Sequence, residues 1–432
     1  MKILLVNPPD CGRSIPEERY GIDSIRQIFR GEPLALETLA GNLDGHEVRI
    51  LDLKAEPEGY PDTLRAFAPD LVGFTAVTCE ANTAIRLASE ARAALPRAVT
   101  AVGGIHASND PSYFNRSEFD YVVAGLGKAS FAELVSAIGR GADAGRIPGV
   151  ARTNPGRPLR MAPRAFGPAD LVEGKPPRYD LVARYRDRYV LPSLGFRIGF
   201  VASAFGCPFD CAFCCIGPLT GGGYLTHSVD SVVEHIRLLG DVPVIRLVDA
   251  NTFGNVAHAR SLADAILAAG FRKHFVADVR SDTVVRHPDL LRRWKEAGLR
   301  SVIIGFEEIA DSELSRMNKA SGVSANDEAI GILDELGITV VGDFIVSPDY
   351  DETRFEALGR YVSDRPIGLP ILTVLTPLPG TALHAAMKSR IVVHDLDYYT
   401  LTNAVVPTRL DEKRFYEQYA GLIKAFHAKA KL

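Results

Sequence analysis

The sequence has no apolar run approaching the ~20 residues that a bilayer-spanning helix needs. Neither sign of charge dominates: 49 Lys and Arg stand against 53 Asp and Glu, a net charge of −4. That balance offers neither the basic surface that neutralises phosphates nor an acidic tail, so no nucleic-acid partner is expected. Residues 1–9, Met-Lys-Ile-Leu-Leu-Val-Asn-Pro-Pro, lack the long apolar core and cleavage site of a secretory signal. They are expected to form a buried strand stopped by two prolines. Internal repeats and low-complexity segments are also missing, and 432 residues suggest two or three domains. Cysteine is sparse, at positions 11, 79, 207, 211, 214 and 215. Four of the six crowd into residues 207–215, which excludes a disulfide framework and points to a reducing, cytoplasmic setting.

What is there begins with Cys207-Pro208-Phe209-Asp210-Cys211-Ala212-Phe213-Cys214. Three thiols on one short loop can each ligate a corner of a cubane 4Fe–4S cluster, leaving the fourth iron open to a small molecule. Buried free thiols or half a zinc site are the alternatives, but zinc wants a fourth Cys or His nearby, and the next His is His227. The C-x-x-x-C-x-x-C spacing and its aromatic filling, Phe209 and Phe213, resemble the signature of radical S-adenosylmethionine (SAM) enzymes. The resemblance implies Cys207, Cys211 and Cys214 as cluster ligands, with the amino and carboxylate groups of SAM on the open iron. Cys215 is expected to serve packing, because adjacent residues on a tight turn point apart.

Before this loop, apolar runs alternate with helical patterns in a β-α-β rhythm, the mark of a doubly wound, Rossmann-like parallel sheet. Strands are expected at 3–6, 48–51, 71–75, 99–102 and 121–124. Helices are expected around Leu36, Leu39, Ala40 and Leu43, and at 81–95. Ligands of such sheets bind beyond the strands' carboxyl ends. Here those ends carry Asn7-Pro8-Pro9, Thr75-Ala76-Val77-Thr78, Gly103-Gly104-Ile105-His106-Ala107-Ser108 and Gly125-Leu126-Gly127. Cys11 and Cys79 lie on the same edge and are expected to act as small hydrophobes. The order and wording resemble the cobalamin-binding domain of cobalamin-dependent radical SAM enzymes, which implies Thr75, Gly103, Gly104, His106 and Gly125 as cofactor contacts. Two departures stand out. The Asp-x-His-x-x-Gly motif that supplies a cobalt-ligating His is absent, which implies a base-off corrin without a protein imidazole. Leu126 and Lys128 stand where the family more often has Glu, so a domain that kept its fold without its cofactor stays open.

Residues 141–193, with Arg152, Arg157, Arg160 and Arg164 among prolines, suggest a solvated linker. From 194 a second βα rhythm begins, with strands expected at 197–202, 244–248, 274–279, 301–304, 338–346 and 371–376. Six such units make a partial (βα)6 barrel of the TIM type, with chemistry at the strands' carboxyl ends. Asp249, Arg280 and Glu307 end successive strands. By resemblance these are the SAM contacts, while Ser347 replaces a usual Gly on the adenine-side strand. The expected organisation is therefore a cobalamin-type domain at 1–140, the linker, the radical SAM barrel at 194–381 and a small helical segment at 382–432. That last segment is expected to be a lid or packing element, and it resembles the tail of C-methyltransferases acting on apolar substrates.

The family resemblance implies methyl transfer to an unactivated carbon of a small or lipid-like substrate. It uses a 4Fe–4S cluster, two molecules of SAM, cobalamin and an external flavodoxin- or ferredoxin-type electron donor. A ring-forming or oxidising radical SAM reaction is the alternative among enzymes. An iron–sulfur electron carrier or sensor is the alternative outside them, although it would need no such ring of polar strand ends.

Overall fold

The structure, a computed structural model, describes residues 1–23, 31–191, 195–428 and 430. The first sheet contains β1 (Lys2–Asn7), β2 (Glu47–Asp52), β3 (Leu71–Thr75), β4 (Val99–Gly103), β5 (Tyr121–Val123) and β6 (Val150–Arg152) in the order β2-β1-β3-β4-β5-β6. β1 to β5 are parallel and, as the sequence suggests, nearly continuous in apolar residues, since helices cover both faces. β6 departs from expectation. It runs antiparallel to β5, within the stretch expected to be linker. Three residues are too few to leave a periodicity, and the return from the Lys128–Gly139 helix brings them alongside the edge.

The linker is only half solvated. Arg152, Arg157 and Arg160 are exposed, but Arg164 is held by Asp170 at 2.7 Å and Glu133 at 3.1 Å. Further along, Arg186 meets the fully buried Glu32 at 2.5 Å, and the Tyr189 hydroxyl donates to Asp52 at 2.9 Å. The expected boundary at residues 193 and 194 lies outside the described residues.

The second sheet has the order β15-β14-β13-β12-β11-β8-β7. Its six parallel strands are β8 (Phe196–Val201), β11 (Val244–Leu247), β12 (His274–Asp278), β13 (Leu299–Glu307), β14 (Thr339–Val346) and β15 (Leu369–Val374). These are the six expected units of a partial barrel. The short β7 (Val190–Leu191) caps β8 antiparallel, and β9 (Ala204–Gly206) pairs with β10 (Tyr224–Thr226) as a small hairpin around the cysteine loop. Burial alternates along β15, so one set of side chains packs under helices while the other lines the barrel interior. Under the outer face, Trp294 is fully buried against Phe253 and Phe275 and donates to the Ala259 carbonyl at 3.0 Å. Ser228 caps the Val229–Leu238 helix, as its position before the apolar stripe predicts.

The C-terminal segment packs into both units. In the Glu412–His427 helix, Phe415, Tyr416, Tyr419, Ile423 and Phe426 enter the barrel core, and the Tyr419 hydroxyl donates to the Leu372 carbonyl at 2.8 Å. Upstream, Leu396, Tyr399 and Val405 pack into the core of the first sheet. Among the described residues, no helix is long and apolar enough to cross a membrane.

Candidate functional site

The cysteine loop follows β9, after Gly206 at φ +77°. A Cβ at Gly206 would sit 2.1 Å from the Gly223 carbonyl, so the hairpin closes only around glycine. The loop is then fastened from three sides. Asn318 donates from Nδ2 to the Asp210 carboxylate at 2.8 Å, and the Ala212 N–H donates to the Met317 carbonyl at 2.9 Å. The Leu383 N–H donates to the Ala212 carbonyl at 2.8 Å, and Asn109 donates from Nδ2 to the Cys215 carbonyl at 2.9 Å. The turn that reaches Asp210 and Ala212 carries two non-glycine residues at positive φ, Asn318 at +53° and Ala320 at +32°.

Cys207, Cys211 and Cys214 are all partly buried. Burial pushes the Cys214 thiol up to about 11, and the thiols of Cys215, Cys211 and Cys207 add to the shift. Burial also raises Cys211, against the opposing charges of Lys319 and Arg280. Among the described residues, no three His, Cys, Asp or Glu side chains converge on one point as a single metal ion demands. A cubane asks for something different, one thiolate at each of three corners, and three neighbouring half-buried thiols on one fastened loop fit it.

The strand-end polar residues divide. The Arg280 guanidinium lies 3.6 Å from the centroid of the Phe209 ring and donates to Asp282 at 2.8 Å, so it stands directly over the cysteine loop. Glu307 ends β13 at φ +63° and meets Lys319 at 2.7 Å. That ion pair covers Gly305, where a Cβ would lie 2.2 Å from Glu307 Oε1. Asp249 does not join them. Its carboxylate accepts from the Ser203 N–H at 2.7 Å, the Ala204 N–H at 2.9 Å and the Ser203 hydroxyl at 2.6 Å. Almost fully buried, it pins the strand end that launches the cysteine loop, which corrects its expected part as a SAM contact.

Deeper along the strands, Arg246 and Asp278 lie 2.7 Å apart, poorly aligned for a hydrogen bond, and Oδ1 of Asp343 has no hydrogen-bond partner. Burial, with Glu307 and Asp278 nearby, raises the Asp343 carboxyl to about 8.

A cleft of about 390 Å³ faces the barrel from the edge of the first sheet. Thr75, Gly103, Gly104 and Gly125 line it, together with Val77, Ile105 and Leu126. The cleft continues down one face of the sheet past Gly73, Ala101, Leu36, Leu39 and Phe131. From the barrel side Ala202, Ala204, Phe205, Leu219 and Val248 complete it. Gly104 has φ +96° and ψ −169°, a conformation essentially limited to glycine, and a Cβ there would meet Thr75 Oγ1 at 2.7 Å. The loops are laced together: the Ala76 N–H donates to the Gly103 carbonyl at 3.1 Å, and Ser108 Oγ donates to the Gly104 carbonyl at 2.8 Å while accepting from the Gly125 N–H at 2.9 Å. The glycine rim admits the flat face of a broad ring system, and Thr38, Thr75 and the bare backbone of the glycine loops can meet peripheral amides, so these residues fit a corrinoid.

Two expectations on this edge change. His106 is fully buried, edge-on to Tyr113 and Phe114, and neither ring nitrogen has a hydrogen-bond partner. Burial lowers it to about 4, and the cleft is lined by its neighbours instead. Lys128 also leaves the cleft: its ammonium is buried and donates to the carbonyls of Leu171 and Val172. The next residue, Glu173, accepts from His227 Nδ1 at 2.8 Å and the Ser228 N–H at 3.0 Å. Burial would raise Glu173, but bonds from Ser231, Ser228 and His227 hold it down to about 2. The lysine that departs from the family wording therefore anchors the linker to the first domain, and Glu173 beside its partners ties the same turn to the barrel.

Cys11 and Cys79 are neighbours with thiols raised by burial, Cys11 donating to the Cys79 carbonyl at 3.4 Å. Asn109 carries no sequence signal of its own, and only the folded loop brings it to the site, whereas Val77 and Ser108 lie within the strand-end stretches.

Residues 29–135 match the family model of the B12 binding domain, and residues 201–361 match that of the radical SAM superfamily. The chain is 31% identical to the hopanoid C-3 methylase of Methylococcus capsulatus over 400 residues, 90% of this chain and 75% of the methylase. It is 25% identical to the anaerobic magnesium-protoporphyrin IX monomethyl ester cyclase of Synechocystis over 91% of this chain and 78% of the cyclase. The radical SAM methyltransferase TsrM of Kitasatospora setae, solved with cobalamin and a [4Fe–4S] cluster, shares the fold with a TM-score of 0.70 at 21% identity, over 90% of this chain and 78% of TsrM.

Proposed function

The chain belongs to the cobalamin-dependent radical SAM enzymes, and from that premise we propose that it transfers a methyl group to an unactivated carbon of a small or lipid-like substrate. The observation that carries this reading is the shared cleft, lined by the glycine loops of the first sheet and by Ala204 and Phe205 beside the cysteine loop. Its barrel-side wall, Ala202, Leu219 and Val248, suits an apolar substrate held beside the corrin seat and kept from water. When bound, cobalamin supplies the methyl group, and the cluster supplies the electron that cleaves SAM to the radical that removes substrate hydrogen.

The chain's own residues place and insulate. Cys207, Cys211 and Cys214 hold the cluster, and Asp249 fixes the strand end from which their loop starts. Arg280 and the Glu307–Lys319 pair offer both signs of charge to zwitterionic SAM above that loop. Gly103, Gly104 and Gly125, with Thr75 and Leu126, seat the corrin. An external flavodoxin- or ferredoxin-type protein delivers electrons, in the cytoplasm, and no nucleic acid takes part. Likeness to the cyclase makes ring formation or oxidation without net methylation the second reading.

The test uses anaerobic protein reconstituted with iron and sulfide, loaded with hydroxocobalamin and given deuteromethyl-SAM, a reductant and a small-molecule and lipid extract. Labelled methyl on a carbon product, with S-adenosylhomocysteine and 5′-deoxyadenosine formed together, is expected. Deoxyadenosine with a dehydrogenated or cyclised product and no labelled methyl would support the second reading. SAM cleavage without corrinoid uptake would remove cobalamin from the reaction.

A further inference from the structure

The two cofactor sites are joined by one side chain. The loop after β4 turns at Gly103-Gly104 on the cleft and becomes the short helix Ile105–Asn109. At its end, Asn109 Nδ2 donates to the Ile105 carbonyl at 2.8 Å and to the Cys215 carbonyl at 2.9 Å. Cys215 directly follows Cys214, so this bond reaches the backbone of the cluster loop itself. Both partners are carbonyls, which fixes the amide with its nitrogen toward the cluster loop. The carbonyl of Asn109 packs where Gly380, at φ +85°, has no side chain, and a Cβ there would come within 2.5 Å of it. On the other side, Ser108 bonds to both glycine loops. Residues 104–109 are thus a stiff strut, with one end at the rim of the cleft and the other on the cysteine loop.

We propose that Asn109 is a positioning residue that couples the two sites, so that filling the glycine-rimmed cleft with a corrinoid tightens SAM binding at the cluster. This rests on the functional reading above. A corrinoid held against Gly104 limits the movement of the strut, and the Asn109–Cys215 bond passes that restraint to the loop carrying Cys214. By linkage, SAM tightens corrinoid binding by the same factor.

The test measures SAM binding by anaerobic equilibrium dialysis to the full chain carrying an oxidised cluster, with and without hydroxocobalamin. In the wild type, cobalamin should lower the SAM Kd by about fivefold or more, the usual scale of coupling between sites. Asn109→Asp keeps the shape and loses the donor, and Asn109→Ala removes the side chain. Both should retain iron and corrin at wild-type content, with SAM Kd the same whether or not cobalamin is present. A structural role alone would change SAM Kd equally in the two states. Corrin absorbance in the wild type without any change in SAM Kd would overturn the inference, as would variants that keep the coupling. Loss of iron or corrin from both variants would also overturn it, because Asn109 would then build a site instead of relating two. If the wild type takes up no corrin, the cobalamin reading fails and takes this inference with it, an outcome visible in the absorbance spectrum alone.

Discussion

On the edge of the first sheet, the groups that face the cleft are uncharged: Gly103, Gly104, Gly125, Val77, Leu126 and the hydroxyl-bearing Thr75. At the barrel mouth they are charged, and the structure engages them with one another, Arg280 with Asp282 and Phe209, Glu307 with Lys319. The first edge offers shape, a rim of bare backbone at positions where a side chain would collide with Thr75, Ala76 or Phe166. The second selects by charge, and an arriving zwitterion must exchange contacts with ion pairs already formed. A shape site is therefore damaged by adding atoms and a charge site by removing a charge.

The largest effect should come from Cys211→Ala, which should abolish the cluster and all SAM cleavage, whereas Cys215→Ala should retain both. Iron analysis and 5′-deoxyadenosine formation read this, and an empty site in Cys215→Ala would reassign the ligands. The comparison is sharpened by a crossed pair. Glu307→Gln should weaken SAM binding by about 1.5–3 kcal/mol, the scale of a charge-assisted hydrogen bond, with corrinoid uptake retained. Gly104→Val, forced into a glycine conformation and against Thr75 and Ala76, should distort the rim and weaken corrinoid binding by about 1–3 kcal/mol, and leave the SAM affinity of the cobalamin-free protein within about fivefold. If each variant damages both sites equally, the two edges do not divide the work in this way.

The smallest effect concerns His106. Its imidazole is neutral in the fold down to about pH 4, while the unfolded chain takes up the proton near its ordinary value of 6.5. Between those limits the unfolded state binds more protons, so stability falls as pH falls, by about 1 kcal/mol per pH unit. His106→Phe should flatten that part of the curve in urea unfolding measured from pH 7 to pH 4.5. An unchanged slope would mean that His106 protonates in the fold.

The parallel strands were legible because strands covered on both faces are written as uninterrupted apolar runs; the expected strand at 71–75 coincides with β3. The cysteine loop was legible because its three thiols fall within eight residues of sequence. Asp249 was not, because its partners Ser203 and Ala204 lie more than forty residues upstream and meet it only where β8 and β11 pair side by side. His106 misled for a related reason. Its neighbours in sequence line the cleft, yet a helical turn carries its own ring to Tyr113 and Phe114 on the other side. Lys128 looked like damage to a cofactor loop until its carbonyl partners, some forty residues later, were in view. The antiparallel strands β6 and β7 are too short to leave a pattern.

The path of the C-terminal segment bears on how the molecule is made. Residues 396–405 run between the two units, with Leu396, Tyr399 and Val405 in the core of the first sheet and Ala404 in the barrel core, and the helix after them completes the barrel core. During synthesis both sheets can therefore assemble while the seam between them stays unsealed. The Asn403 amide, which accepts from the Ile15 N–H at 2.8 Å and donates to the Arg13 carbonyl at 2.7 Å, stitches positions nearly four hundred residues apart. Bulky cofactors have until that stitch closes to enter by an open door.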